Sequence, residues 1–339
     1  MTSGSATSLR EAVREAVRTL TDAGVQSAEF DAVALAACVL NATPGEVQQQ
    51  MILGARVPEG YVDLVAERAR RVPLQHLTGK AGFRNLTLQI GPGVFIPRPE
   101  TELTAHLAIT HLTHQSRQFA RPHPTDLGSL PAESRGSRQL ARDQPGDLDQ
   151  MPHKLPRSAP EPRTNRLDRQ LVVDLCAGSG AIALAVKDEV PGAEVYGVEV
   201  SELAHAWAIR NRDDLGLDVD IRLGDATVAF PDLEGEVDVV VSNPPYIPVD
   251  AVPNDPEVRD HDPEVALYGG SRDGLRIPLE VAGRAAVLLR PGGLFVMEHA
   301  DVQGVSLLAA LTTTGLWQDI QDHEDLNGRP RAITAIRAG

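Results

Sequence analysis

The most constraining feature of this chain is an alternation that runs from residue 171 to residue 337. Short apolar runs at 171–176, 195–200, 219–223, 237–242, 294–298 and 331–337 are interleaved with helix-length patterns at 181–188, 201–213, 275–289 and 302–314. Strands that alternate with helices of this length pair in parallel, because each helix carries the chain back to the start of the next strand. The fold class is therefore α/β, a parallel sheet covered by helices on both faces. Open sheets of this kind bind ligands beyond the carboxyl ends of their strands, so the residues that follow each apolar run are the place to look for chemistry. Arg290-Pro291-Gly292-Gly293 reads as the turn into the fifth run.

The N-terminal part has a different texture. Leu9, Val13, Ala16, Val17 and Leu20 recur at helical spacing, as do Phe30, Val33, Ala34, Ala37 and Cys38. Thr43-Pro44-Gly45-Glu46 combines a capping Thr, Pro at the first helical position and Glu three residues after the cap. A further helix at 59–71 stops before Pro73, and residues 1–73 read as a small all-α domain. Residues 74–99 read as a β-hairpin linker, in which Leu86, Leu88 and Ile90 alternate with polar residues between glycines. Ile96-Pro97-Arg98-Pro99-Glu100-Thr101-Glu102 leads into a helix to about residue 112, and residues 100–339 form the α/β domain. The stretch from about 114 to 169 is rich in Pro, Arg, Ser, Asp and Gln, with Phe119 its one aromatic. It cannot bury enough apolar surface to offset its ordering entropy and reads as a disordered insertion. It falls away from the strand ends, where it is tolerated.

Composition narrows the function. The formal charge of −15 leaves no basic sheath for phosphates, so no stable nucleic-acid binding is expected. Two cysteines in unrelated contexts, Cys38 and Cys176, exclude a disulfide scaffold and a cysteine zinc site. His76, His261, His299 and His323 lack metal-ligand spacing, so no metal is expected. His299, beside Glu298 at a strand end, reads as a structural histidine with no catalytic role. The first ten residues are small and polar, and no apolar stretch reaches membrane-spanning length. A cytoplasmic protein with no membrane contact is expected.

Four strand ends carry the candidate site. The first run ends in Asp174-Leu175-Cys176-Ala177-Gly178-Ser179-Gly180, a turn whose small residues let a ligand approach the backbone. A full G-x-G-x-x-G is absent. Glu199 closes the second run, where a carboxylate can hold ribose hydroxyls. Asp225, followed by Ala226, comes after the third and can bond an adenine amino group. Asn243-Pro244-Pro245-Tyr246 follows the fourth. There the Asn side-chain carbonyl and a backbone carbonyl fixed by prolines can each accept one N–H of a planar –NH₂ group. Turn, acid, acid and Asn-Pro-Pro-Tyr in this order describe an S-adenosylmethionine-dependent methyltransferase that modifies a planar nitrogen.

The chain resembles the HemK/PrmC family of release-factor glutamine methyltransferases. Four segments carry the likeness: Pro73-Leu74-Gln75-His76-Leu77-Thr78-Gly79, Ile96 to Glu102, Asp174 to Gly180, and Ser242 to Tyr246. The resemblance implies a helical release-factor-binding domain, a hairpin linker and a seven-stranded Rossmann-like methyltransferase domain. It implies as substrate the glutamine of the Gly-Gly-Gln motif in class 1 peptide chain release factors, methylated on its side-chain nitrogen by a monomer. Cofactor contacts would fall to Asp174, Cys176, Ala177, Gly178, Ser179, Gly180, Glu199, Asp225, Ala226 and Asn243. Asn243 would also be the catalytic residue, with Pro244, Pro245 and Tyr246 completing the glutamine pocket. Arg98 and Glu100 would order the linker against the site. Cys176 stands where many relatives have Gly, and Ala226 where some have a large aromatic. Adenine-N6 methyltransferases share Asn-Pro-Pro-Tyr, but the acidic charge speaks against them. An intact tetrapeptide and Glu199 speak against a non-catalytic adapter.

Overall fold

In the computed structural model of the protein the described residues are 8–119 and 170–339. Residues 120–169, most of the stretch read above as a disordered insertion, lie outside them.

The described chain opens with α1 (Leu9–Asp22), α2 (Ala28–Leu40), α3 (Pro44–Ile52), α4 (Tyr61–Ala69) and the short α5 (Leu74–Thr78). Two of these start with reciprocal caps. The Ser8 hydroxyl accepts from the Glu11 N–H while a Glu11 carboxylate oxygen accepts from the Ser8 N–H. Thr43 and Glu46 do the same at α3. Each cap satisfies donors the helix itself leaves open, worth about 1 kcal/mol. Leu9, Val13, Ala16 and Leu20 turn one face of α1 into a core shared with Ala32 and Leu35 of α2 and Tyr61 and Val65 of α4. Two polar contacts lock that core: the Tyr61 hydroxyl donates to the Ala32 carbonyl at 3.0 Å, and Arg68 Nε donates to Asp31 Oδ2 at 2.7 Å.

The hairpin consists of β1 (Lys80–Phe83) and β2 (Leu86–Gln89), which pair antiparallel. Leu74–Thr78, read from sequence as part of the hairpin segment, is instead helical: Pro73 presets its first turn and Gly79 ends it at φ 71°. The helix after the linker, α6 (Thr101–Phe119), continues past residue 112. His114 to Arg117 are polar but contain no helix breaker, and the first proline beyond is Pro122.

The remaining elements are β3 (Leu171–Leu175), α7 (Ala181–Glu189), β4 (Glu194–Glu199), α8 (Glu202–Leu215), β5 (Val219–Leu223), β6 (Val237–Ser242), α9 (Pro256–His261), α10 (Glu264–Leu267), α11 (Arg276–Leu288), β7 (Leu289–Glu298), α12 (Gly304–Thr314), β8 (Trp317–Glu324) and β9 (Pro330–Arg337). They build a seven-stranded sheet in the order β5-β4-β3-β6-β7-β9-β8. Strand residues alternate between two cores. Val172, Val239, Val241 and Val296 face α6, α7, α8 and the hairpin, whereas Val173, Val240, Phe295 and Met297 face α11 and α12. The pleat breaks once in β6, where Val237 faces the same side as Val240 and the pairing with β7 shifts register. Asp238 occupies that irregularity, and its carboxylate accepts from the Leu171 N–H and from Arg290 Nε, each at 2.7 Å.

Two further sequence expectations are corrected. The sheet is not wholly parallel, since β9 runs antiparallel to both β7 and β8. β8 went unforeseen because most of its residues are polar and exposed, as an edge strand allows. The segment Arg290 to Gly293 is not a turn before β7 but lies within it, in the stretch opposite the β6 irregularity. The sheet's strand order reverses between β3 and β6, so a crevice opens at their carboxyl ends.

Candidate active site

A cavity of about 600 Å³ occupies that crevice. Its floor is the turn after β3. Cys176, Gly178 and Gly180 hold φ of 72°, 58° and 83°, a left-handed path that lifts the backbone over the strand ends and delivers it to α7. The turn closes on itself through the Ala177 N–H donating to the Val198 carbonyl at 2.9 Å and the Gly180 N–H to the Ala177 carbonyl at 2.8 Å. A side chain built on Gly178 would meet nothing within 4 Å: its position faces open space.

Glu199, 8% exposed at the end of β4, is held by the same backbone. Its Oε2 accepts from the Gly178 N–H at 2.7 Å and its Oε1 from the Ser201 N–H at 2.8 Å. Each oxygen retains a second lone pair for a ligand hydroxyl. Beyond β5, Asp225 Oδ1 accepts from both the N–H and the hydroxyl of Thr227 at 2.8 Å, which fixes the turn that brings Asp225 and Ala226 to the cavity edge. The Cys176 thiol also lines the cavity. Burial, with the charge of Glu199, pushes it well above the usual thiol range, so it stays protonated and unreactive at neutral pH.

Asn243 leaves β6 at the opposite wall. Its Nδ2 donates to Thr101 Oγ1 at 3.2 Å, leaving the side-chain carbonyl oxygen as the group it can offer an incoming N–H. Tyr246 donates its hydroxyl to Glu298 Oε1 at 3.1 Å. The backbone at and just after Tyr246 is pinned by Gln303, whose Nε2 donates to the Tyr246 carbonyl at 2.9 Å, and by the pair Ile247 N–H to Leu267 O and Gly269 N–H to Ile247 O. Gly274 has to be glycine here: at φ 73°, an added Cβ would stand 2.0 Å from the Tyr246 carbonyl oxygen.

Of the residues singled out from sequence, Cys176, Ala177, Gly178, Ser179, Glu199, Asp225, Ala226, Asn243, Pro245 and Tyr246 line this one cavity, and Asp174, Gly180 and Pro244 do not. Asp174 lies beneath the floor, fully buried, where its Oδ2 accepts from the Ala183 N–H at 3.1 Å at the start of α7. Burial pushes its carboxyl up to about 7, against the pull of that hydrogen bond and with the help of the Glu199 charge. Gly180 caps α7, and Pro244 is buried with only its backbone to contribute. His299 lies outside the cavity, its Nδ1 against the Ala300 carbonyl at 2.8 Å and its Nε2 against Asp322 at 3.1 Å.

Four participants escaped the sequence reading. Thr101 and Glu298 sit in segments already marked by motif and periodicity, but only the fold brings them against Asn243 and Tyr246. Arg331 reaches the same corner from β9. The fourth is the outer wall, α9 and α10, for which the Pro- and acid-rich segment 250–264 gave no periodic signal. The N-terminal helices hold that wall: Arg68 Nη1 donates to Glu257 Oε1 at 2.5 Å, and Arg71 grips both Glu257 oxygens at 2.9 Å. From the linker, Arg98 donates to Asp262 Oδ2 at 2.6 Å with its guanidinium over the Phe95 ring.

Two family models match parts of the chain. The family described as PrmC N-terminal domain matches residues 11–79, and the family described as Methyltransferase small domain matches residues 162–253. A release factor glutamine methyltransferase of Streptomyces coelicolor is 43% identical, covering 96% of this chain and 97% of that protein. One of Mycobacterium tuberculosis is 37% identical, covering 98% and 92%. A 4-amino-L-phenylalanine/4-methylamino-L-phenylalanine methyltransferase of Streptomyces pristinaespiralis is 34% identical, covering 98% and 96%.

Proposed function

The chain belongs to the release factor glutamine methyltransferase family, and on that premise we propose that it methylates the side-chain nitrogen of the Gly-Gly-Gln glutamine in class 1 release factors, with Asn243 as the catalytic residue. The protein is an S-adenosylmethionine-dependent methyltransferase. The cavity suits that cofactor: Glu199 keeps a lone pair on each oxygen for the two ribose hydroxyls, and Gly178 faces the open space in which the methionine part would lie. Cys176, Ala177, Ser179, Asp225 and Ala226 would line it, with Asp174 and Gly180 shaping the turn from below. When bound, the cofactor supplies an electrophilic methyl group on a sulfonium.

One observation carries the reading: the Asn243 amide, fixed by Thr101, opens on the same cavity as Glu199. A glutamine amide nitrogen is a weak nucleophile because its lone pair is delocalised into the carbonyl. Asn243 Oδ1 and the Pro244 carbonyl would accept its two N–H groups and fix the nitrogen for methyl transfer. Positioning of this kind lowers a barrier by about 7–11 kcal/mol in favourable cases. As the nitrogen turns positive in the transition state, the same acceptors bind it more strongly than in the ground state. Pro245 and the Tyr246 ring close the pocket around the glutamine stem. The α1–α5 helices dock the release factor, whose loop then reaches the cavity past the α9–α10 wall. The enzyme acts as a cytoplasmic monomer, without lasting contact to nucleic acid.

The test is incubation with S-adenosylmethionine and, in separate reactions, a class 1 release factor, 4-amino-L-phenylalanine, DNA and RNA. Mass spectrometry of the Gly-Gly-Gln peptide is expected to find one added methyl group on the glutamine. Labelling of the free amine or of nucleic acid, with the release factor unmodified, would overturn the substrate assignment.

A further inference from the structure

Leu203, Trp207 and Asn211 follow one another at helical spacing along one face of α8. The segment after the hairpin lies across that face. A Cβ added to Gly91 would stand 2.3 Å from the Trp207 ring, and one added to Gly93 would stand 2.7 Å from Leu203. Trp207 Nε1 donates to the Pro92 carbonyl at 3.3 Å. At the end of the row Asn211 is 1% exposed, and its amide bonds to backbone on two sides. Its Oδ1 accepts from the Gln89 N–H at 2.6 Å, while its Nδ2 donates to the Gln89 carbonyl at 3.1 Å and to the Ser179 carbonyl at 3.0 Å. Gln89 is the last residue of β2, and Ser179 lines the cavity in the turn after β3. We infer that Asn211 is a positioning residue for the cofactor, which holds the turn after β3 in its binding shape and ties that shape to the hairpin linker.

This role rests on the methyltransferase reading above. The turn needs an outside anchor because of its own glycines. Gly180 sits at φ 83°, and a glycine adopts either sign of φ at similar cost. The peptide unit between Ser179 and Gly180 can therefore rotate in place unless both of its polar ends are held. The Gly180 N–H is held by the Ala177 carbonyl at 2.8 Å, and the Ser179 carbonyl by Asn211 Nδ2. One residue earlier, the Gly178 N–H is the donor to Glu199 Oε2, so a loosened turn also frees the carboxylate proposed for the ribose. Both Nδ2 protons and Oδ1 of Asn211 are committed. An aspartate of the same shape has no proton to donate and would set a charge against two carbonyl oxygens.

The other side of the amide leads toward the substrate. Beyond Gln89 the linker runs along the cavity at Gly93, Phe95 and Pro97 and enters α6 at Thr101, the partner of Asn243. One side chain thus joins the turn that shapes the cofactor site to the segment that leads to the substrate site. A ligand that orders the turn orders the linker with it, and by linkage an ordered linker favours the ligand.

The experiment follows amide hydrogen exchange of the full chain with and without S-adenosylhomocysteine, for wild type, Asn211→Asp and Asn211→Ala. Calorimetric affinity for S-adenosylhomocysteine, the thermal midpoint, and kcat and KM with S-adenosylmethionine and an intact class 1 release factor are measured alongside. In wild type the ligand is expected to slow exchange at residues 177–180 and also, by about threefold or more, at Gln89, which does not line the cavity. In Asn211→Asp, affinity for S-adenosylhomocysteine should fall by about tenfold or more and KM for S-adenosylmethionine should rise to match. Its kcat at saturating S-adenosylmethionine and its KM for the release factor should stay within about threefold of wild type. The effect of the ligand on Gln89 should vanish in both variants. A merely structural residue would lower the thermal midpoint and leave these ligand-linked readouts unmoved. A folded Asn211→Asp that binds S-adenosylhomocysteine within about twofold of wild type overturns the proposal. Where neither variant folds, wild type decides: slowing confined to residues 177–180, with Gln89 unchanged, overturns it as well. A wild-type protein that binds no S-adenosylhomocysteine overturns the cofactor reading instead.

Discussion

The two walls of the cavity are built by different means. The wall proposed for the cofactor is mostly backbone: a turn held at positive φ through Cys176, Gly178 and Gly180, with one acid, Glu199, clamped by N–H groups from within the same β–α–β unit. The wall proposed for the substrate is made of side chains. Asn243, Tyr246, Thr101 and Glu298 come from three distant stretches and meet only in the fold. A backbone wall keeps its shape through many side-chain changes, whereas each member of a side-chain wall is exposed to substitution. The difference predicts that variants on the substrate side cost turnover and variants on the cofactor side cost affinity, or nothing.

The largest effect is expected at Asn243. Asn243→Ala removes an acceptor that tightens only as the nitrogen becomes positive, so kcat with a release factor should fall by about 10²–10³-fold. Calorimetric affinity for S-adenosylhomocysteine should barely change, because no backbone element of the cofactor wall depends on that side chain. Equal losses in both measurements would erase the distinction between the walls. Next in size is Glu199→Gln. It leaves one carbonyl oxygen for two backbone donors and two ribose hydroxyls, and should weaken S-adenosylhomocysteine binding by about 10–100-fold. At saturating S-adenosylmethionine, kcat should stay within a few-fold of wild type.

A smaller effect, read as stability, is expected at Glu257. This residue ties the substrate wall's outer face to Arg68 and Arg71 of the N-terminal helical unit. Burial pushes its carboxyl up, but the hydrogen bonds from Arg71 and Arg68 outweigh that and hold it at about 2. A folded-state value below the unfolded one contributes stability that is complete above about pH 4.5 and is lost as the pH falls toward 2. Glu257→Gln should therefore destabilise the protein by about 1–3 kcal/mol at pH 7. In thermal or urea unfolding the gap to wild type should close on acidification. Glu298→Gln should behave in the opposite sense. Its carboxyl is raised to about 7, so the wild-type group disfavours the folded state increasingly as pH rises from about 4.5 to 7, and the substitution removes that penalty. Opposite pH signs at these two carboxylates would separate a group that ties the wall down from one buried within it.

The same contrast explains what could be read before the fold was known. The cofactor wall is local. Strand, glycine turn, helix and following acid are consecutive, and steric rules tie each to its position, so Gly178 and Glu199 were legible. Asn243 was legible because two prolines mark its loop. Thr101 and Glu298 were not, since their partners lie 142 residues apart for Thr101 and Asn243 and 52 for Glu298 and Tyr246, and no local pattern encodes such pairings. The strand β8 escaped for a different reason. Its residues carry almost no buried apolar periodicity, so the antiparallel edge it forms with β9 is specified by backbone pairing and by Trp317, which stacks on Phe295 at 5.1 Å. The α9–α10 wall is held by ion pairs to distant helices, which a single segment cannot reveal.

The smallest expected effect is the sharpest test of the comparison. Cys176 is a non-glycine residue at φ 72° within the cofactor turn, a conformation that costs an L-residue about 1–2 kcal/mol. Cys176→Gly relieves that strain and restores to the unfolded chain an entropy worth about 0.5–1 kcal/mol. The two nearly cancel, leaving a net gain of about 0–1 kcal/mol and a rise in thermal midpoint of about 2–4 °C at most for a chain of this size. If the wall is truly backbone, S-adenosylhomocysteine affinity and kcat should both stay within about twofold, since the N–H and carbonyl groups that shape the turn are untouched by the change. A loss of tenfold or more in affinity would mean that the cofactor rests on the sulfur atom. The floor of the cavity would then depend on its side chains as much as the opposite wall does.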